Sequence, residues 1–116
     1  MTKDIVEDFL SQFHQKMKIF RIIFRDDRGK NLQTLLDLEI TPTQREDIIK
    51  QLEVEDYIDG PSDDTLNNIA PLWVFGKKVK NKDVYIKISM GRPNTSVICI
   101  SFHIAERQLK YKFKHA

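Results

Sequence analysis

The stretch LWVFGKKVKNKDVYIKISMGRPNTSVICISFH, residues 72–103, decides how this chain folds. It holds three apolar, β-branched runs separated by two polar turns. In the middle run Val84, Ile86 and Ile88 alternate with Tyr85, Lys87 and Ser89. In the last, Ile98, Ile100 and Phe102 alternate with Cys99, Ser101 and His103. Period-two alternation marks half-buried strands of an antiparallel sheet. Asn81-Lys82 suits a tight hairpin, and Gly91-Arg92-Pro93-Asn94 a longer reversal.

A hairpin closing around residues 92–94 sets Tyr85 near Ser101 and sorts the side chains by face. Val84, Ile86, Ile88, Ile98, Ile100 and Phe102 form one apolar surface that must be covered. Tyr85, Lys87, Ser101 and His103, with Cys99 among them, remain on the other. A slip of one residue would expose the whole apolar set, so the division is well constrained. A phenol, an ammonium and an imidazole then share an open face, within cross-strand or diagonal reach. Cys99 and His103 stand two strand steps apart, about 13 Å, too far for a nucleophile pair.

Outside this stretch, composition bounds the function classes. The chain has 116 residues, enough for one domain with its own core, and predicts a single unit over 1–116. One cysteine excludes an intramolecular disulfide, and with three histidines it gives no zinc-ligand pattern. No metal or other cofactor is expected. No apolar run reaches the ~20 residues of a membrane span, and the start lacks a signal peptide's apolar core. The expectation is a cytoplasmic protein with no membrane partner.

The net charge of +2 conceals an asymmetry. Residues 26–76 carry 4 basic and 12 acidic side chains, a balance of −8, and residues 77–116 carry 10 basic and 2 acidic, a balance of +8. Lys77, Lys78, Lys80, Lys82, Lys87, Arg92, Arg107, Lys110, Lys112 and Lys114 all fall on or beside the expected sheet. Attraction between the two halves, with lysines guarding sheet edges, is one account. A polyanion-binding surface is the other, because clustered Lys and Arg near aromatics track phosphates and stack bases. Nucleic acid is the favoured partner.

The remaining elements are read from periodicity. Ile5, Val6, Phe9, Leu10, Phe13 and Met17 predict a helix over 3–17, with His14 a packing or surface residue. Phe20, Ile22 and Phe24 mark a short strand, whose Arg21 and Arg25 are expected to pair with acidic neighbours. Residues 27–31 read as a turn and 31–40 as a short helix. Thr41-Pro42-Thr43-Gln44 carries the cap, first-turn proline and capping box of another helix, ending around Glu53. Gly60-Pro61 reads as a break, and Asp59, Asp63 and Asp64 as a solvated loop without calcium-loop spacing. Residues 66–70 suggest a weak helical turn. Leu109, Tyr111 and Phe113, alternating with Lys110, Lys112 and Lys114, predict a final strand. There is no glycine-rich phosphate loop, nucleophile elbow or H-E-x-x-H.

The words EDYIDGP, LWVFGK, DVYIKI and CISFHIAE, in this order over residues 35–113, resemble the MqsR family of bacterial toxins from type II toxin–antitoxin systems. The resemblance implies a RelE/YoeB-like α+β fold, an antiparallel sheet with the N-terminal helices packed on one face. It also implies a metal-independent endoribonuclease (an mRNA interferase), with mRNA as substrate and a cognate, DNA-binding antitoxin as partner. The family's strand tyrosine and lysine match Tyr85 and Lys87, and its basic residue after S-F matches His103. Its lysine after D-F-Y falls near Ile58 and Asp59, and its glutamine after tryptophan falls on Val74. Lys77 and Lys78 are the nearby substitutes.

The chemistry needs a base for the ribose 2′-hydroxyl, a cation for charge on phosphorus and an acid for the 5′-oxygen. The expected catalytic set is Tyr85, Lys87 and His103, with Lys77, Lys78, Arg107, Lys110 and Lys112 binding RNA. A non-catalytic RNA-binding or protein-interaction module using the same basic face is the alternative.

Overall fold

The computed structural model describes residues 1–63 and 70–114. Its elements in chain order are α1 (Lys3–Phe20), β1 (Ile22–Phe24), α2 (Lys30–Leu38), α3 (Pro42–Lys50), β2 (Tyr57–Ser62), β3 (Leu72–Val79), β4 (Lys82–Ser89) and β5 (Val97–Ile104), with 3-10 turns at Asp26–Arg28 and Val54–Asp56. The five strands form one sheet in the order β1-β5-β4-β3-β2. The α+β class is as expected, but the sheet is mixed, because β1 runs parallel to β5. Hairpin connections force only β3, β4 and β5 to alternate in direction. Seventy-odd residues separate β1 from β5, so no turn constrains its sense.

The helices follow their sequence signals. Thr2 caps α1 by accepting from the Ile5 N–H. The helix buries Val6, Phe9, Leu10, Phe13 and Met17, then runs one turn past the expected end to Arg21, where φ is 67°. His14 Nε2 donates to the Ile49 carbonyl at 2.9 Å, tying α1 to α3. At α3 the Thr41–Gln44 capping box is complete.

One face of the sheet is filled. Phe75, Ile86 and Phe102 lie in register across β3, β4 and β5, each without exposed surface. Phe9 stacks on Trp73 at 4.1 Å between centroids. Burying side chains of this size stabilises by about 1.5–3 kcal/mol each.

Register explains two corrections. Tyr85 opposes His103 rather than Ser101, a shift of two residues that leaves every face unchanged. Beyond Lys87 a bulge then inserts Ile100, so that Ile88 opposes Cys99 and Ser89 opposes Ile98. Cys99 therefore joins the core rather than the open face, and Ile98 takes the opposite side. Asn31 of α2 stabilises the bulge. Its amide donates to the Ile100 carbonyl at 3.1 Å and its oxygen accepts from the Phe102 N–H at 3.0 Å, beyond the point where β1 stops pairing.

Two further expectations fail. Gly60-Pro61, expected as a break, and Asp59, expected in a loop, lie within the outer strand β2; an edge strand tolerates proline because its outward N–H needs no partner. At Gly60 a Cβ would stand 2.6 Å from the Leu72 carbonyl oxygen, so only glycine allows β2 to approach β3. Residues 109–114, expected as a strand, are irregular. β5 already has β1 and β4 as neighbours, so the chain leaves the sheet after it. Most of the turn expected over 66–70, together with Asp64, lies outside the described residues.

A buried ion pair fixes α3 to the segment after β1. Both terminal nitrogens of Arg45 donate to the Asp26 carboxylate, at 2.9 and 3.1 Å, while the guanidinium lies 3.6 Å from the Phe24 ring centroid. Arg25 pairs with Asp27 at 3.4 Å, as expected. No helix among the described residues is long and apolar enough to cross a membrane.

Candidate functional site

On the open face, the row next to Phe75, Ile86 and Phe102 is Gly76, Tyr85 and His103. The missing side chain at Gly76 creates a depression over β3. After β5 the chain turns back into it, placing the Leu109 side chain and the Tyr111 hydroxyl where a Gly76 Cβ would come within 2.6–2.7 Å. The Lys112 N–H then donates to the Tyr57 carbonyl, and Phe113 stacks on the Tyr57 ring at 5.6 Å. Burial pushes the Tyr111 phenol up from its ordinary pKa, and the charges of Asp83 and Asp56 add to this. Tyr111 is thus a wall, not a base.

Between this returning segment and the sheet lies a groove of about 560 Å³. Tyr85, Lys87, Ser101 and His103 form its floor, and Arg107, Leu109 and Lys110 its far wall. The rings of Tyr85 and His103 stack, with centroids 5.2 Å apart and planes 18° from parallel. Lys87 Nζ lies 5.9 Å from the Tyr85 ring centroid. His103 Nδ1 contacts the Ile104 carbonyl at 3.0 Å. A carbonyl only accepts, so Nδ1 carries the proton and Nε2 is the nitrogen left to exchange one.

Lys30, from the start of α2, completes the near wall and forms an ion pair with Glu106. The Lys30 hydrogen bond and charge hold the Glu106 carboxyl below the usual range, with smaller contributions from His103 and Arg107. Glu106 is therefore anionic at neutral pH and balances a ring of cations.

The structure gathers five of the eight expected site residues around one groove: Tyr85, Lys87, His103, Arg107 and Lys110. Three lie elsewhere. Lys77 shares the covered side with Val84, its register partner, and donates to Asp56 at 3.0 Å. Lys78 opposes Asp83 at the far end of the β3–β4 hairpin. Lys112 stands 3.7 Å from Asp59, with its Nζ 5.6 Å from the Tyr57 ring centroid. Lys30 was missed because it sits in the acidic half of the chain, within what reads as a turn. Ile58, one of the positions where the resemblance departs, also lines the groove, whereas Val74 is buried.

Among the described residues, no group of three or more His, Cys, Asp or Glu side chains is placed to hold a metal ion. Comparisons with protein-family models, with curated proteins and with solved structures found no match to this chain.

Proposed function

We propose that this chain is a metal-independent endoribonuclease acting on mRNA. In that reading it is the toxin of a toxin–antitoxin pair with a RelE/YoeB-like fold, held inactive by a cognate DNA-binding antitoxin. The observation that carries the reading is the stacked Tyr85–His103 pair flanked by Lys87 and Lys30 in an open, basic groove. Lys87, Lys30 and His103 line that groove together, with the Lys30 ammonium paired to Glu106. The resemblance of the DVYIKI and CISFHIAE words to the MqsR family points to the same residues.

The chemistry follows from the groups present. His103 Nε2 takes the proton of a ribose 2′-hydroxyl, and the 2′-oxygen attacks the adjacent phosphorus. Lys87 and Lys30 offset the charge that builds on the non-bridging oxygens, and the Tyr85 hydroxyl donates to one of them. The P–O5′ bond breaks, the 5′-oxygen takes a proton from water, and the hydroxide so formed takes the proton from His103 and restores its free Nε2. The products are a 2′,3′-cyclic phosphate and a 5′-hydroxyl. His103→Ala lowers cleavage by about 10²–10⁴-fold, the usual weight of a positioned acid–base group. Tyr85→Phe keeps the stack and loses the donated hydrogen bond. Full cleavage by both variants would remove these residues from the mechanism.

A second reading is a binding module that holds RNA in the groove without cutting it. Ile58 favours it, placing an apolar side chain in the groove where the resemblance calls for a lysine. Salt-sensitive RNA binding without product distinguishes it from the first.

A further inference from the structure

The groove does not end at His103. A smaller cavity of about 190 Å³ shares Lys30, His103 and Glu106 with it and continues along α2 past Gln33, Thr34 and Asp37, with Ile104 on the sheet side. His103 thus stands at the junction of two cavities.

Gln33 Nε2 donates to Asp37 Oδ1 at 3.0 Å, across one helical turn. Thr34 donates its hydroxyl to the Lys30 carbonyl at 2.9 Å, so it offers no donor outward. Asp37 Oδ2 and Gln33 Oε1 have no hydrogen-bond partner among the described residues, and both only accept. A ring lodged here therefore meets the Gln33 and Asp37 acceptors along its edge, with the Lys30–Glu106 ion pair beside it.

We infer that this second cavity is a base-reading subsite next to the scissile phosphate, selecting an amino-bearing base and rejecting uracil. Guanine, adenine and cytosine carry exocyclic N–H groups that a carboxylate accepts. Uracil has a single N–H between two carbonyls, which would face the Asp37 and Gln33 oxygens. Asp37 is then a specificity-determining residue that touches no reacting atom. The inference rests on the endoribonuclease reading for its placement beside a scissile bond, but not for base binding itself.

The test measures binding of 2′-deoxy oligonucleotides, which lack the attacking hydroxyl, by fluorescence anisotropy. Each position in turn carries guanine, adenine, cytosine or uracil, and wild type is compared with Asp37→Asn, which replaces an acceptor by a donor. At one position wild type binds amino-bearing bases about ten-fold more tightly than uracil, and Asp37→Asn brings all four within about two-fold. Cleavage of a randomised RNA by the same proteins then shows the same shift at one position beside the cut. An unchanged base preference in Asp37→Asn, equal binding of all four bases by wild type, or no binding, each overturns the subsite even if RNA is cut. A base preference lost in Asp37→Asn with no cleavage of RNA by wild type supports the subsite and defeats the nuclease reading instead.

Discussion

Two adjacent rows of the same three strands have opposite fates. Phe75, Ile86 and Phe102 are fully enclosed in the core, whereas of their chain neighbours Tyr85 and His103 face a groove and Gly76 lies under Leu109 and Tyr111. The strands, register and twist are common to both rows. Only what covers them differs: helices on one side, and on the other an irregular segment anchored over a glycine. The covered row contributes stability, and the groove leaves Tyr85 and His103 of the other row accessible.

This contrast is sharpest in stability. Phe75→Ala removes a fully buried ring and costs about 3–5 kcal/mol in urea denaturation, while Tyr85→Ala, across the sheet, costs less than about 1 kcal/mol. Equal losses would mean that the two faces are not packed differently. Asn31→Ala comes next. It strands the buried Ile100 carbonyl and Phe102 N–H, costing about 1–3 kcal/mol, with faster hydrogen exchange at the Phe102 amide as its local signature. Gly76→Ala costs less, about 1 kcal/mol, because the added Cβ meets movable side-chain ends. Its main effect is to lift Leu109 and Tyr111, so limited proteolysis within 107–112 accelerates. Unchanged proteolysis would show that the returning segment does not depend on that glycine.

The smallest effect near neutrality belongs to Cys99, whose thiol burial pushes up to about 12. In the unfolded chain a thiol ionises near ~8.5. Below that pH both states keep the proton and stability is unaffected. Above it the unfolded state alone releases the proton, so stability falls as pH rises towards the folded value. Cys99→Val narrows its stability gap to wild type across that window, and the native thiol resists disulfide reagents at pH 8. Rapid labelling of the folded protein would place Cys99 outside the core.

The β3–β4–β5 unit was legible in the sequence because alternation and turn residues speak for the same faces. So were the start of α1 at Lys3, the Thr41–Pro42 cap of α3, and the shared face of Tyr85, Lys87 and His103. Cys99 was misplaced because a one-residue bulge leaves no local mark; its cause, Asn31, lies about seventy residues away. The Leu109–Tyr111–Phe113 alternation suggested a strand, but period two shows only that a segment has two sides, not that a strand edge is free to receive it. Lys30 and Asp37 enter the site through the packing of α2 on β5, a tertiary contact that neither charge pattern nor spacing expresses.

The most direct test of the open face is incubation of purified protein with a long RNA in excess EDTA, comparing wild type with His103→Ala and reading the product ends. The account predicts discrete fragments ending in 2′,3′-cyclic phosphate, reduced at least a hundred-fold in the variant while its melting temperature stays close to wild type. Cleavage undiminished in the folded variant, or an intact RNA that stays intact when translating ribosomes are added, would contradict it.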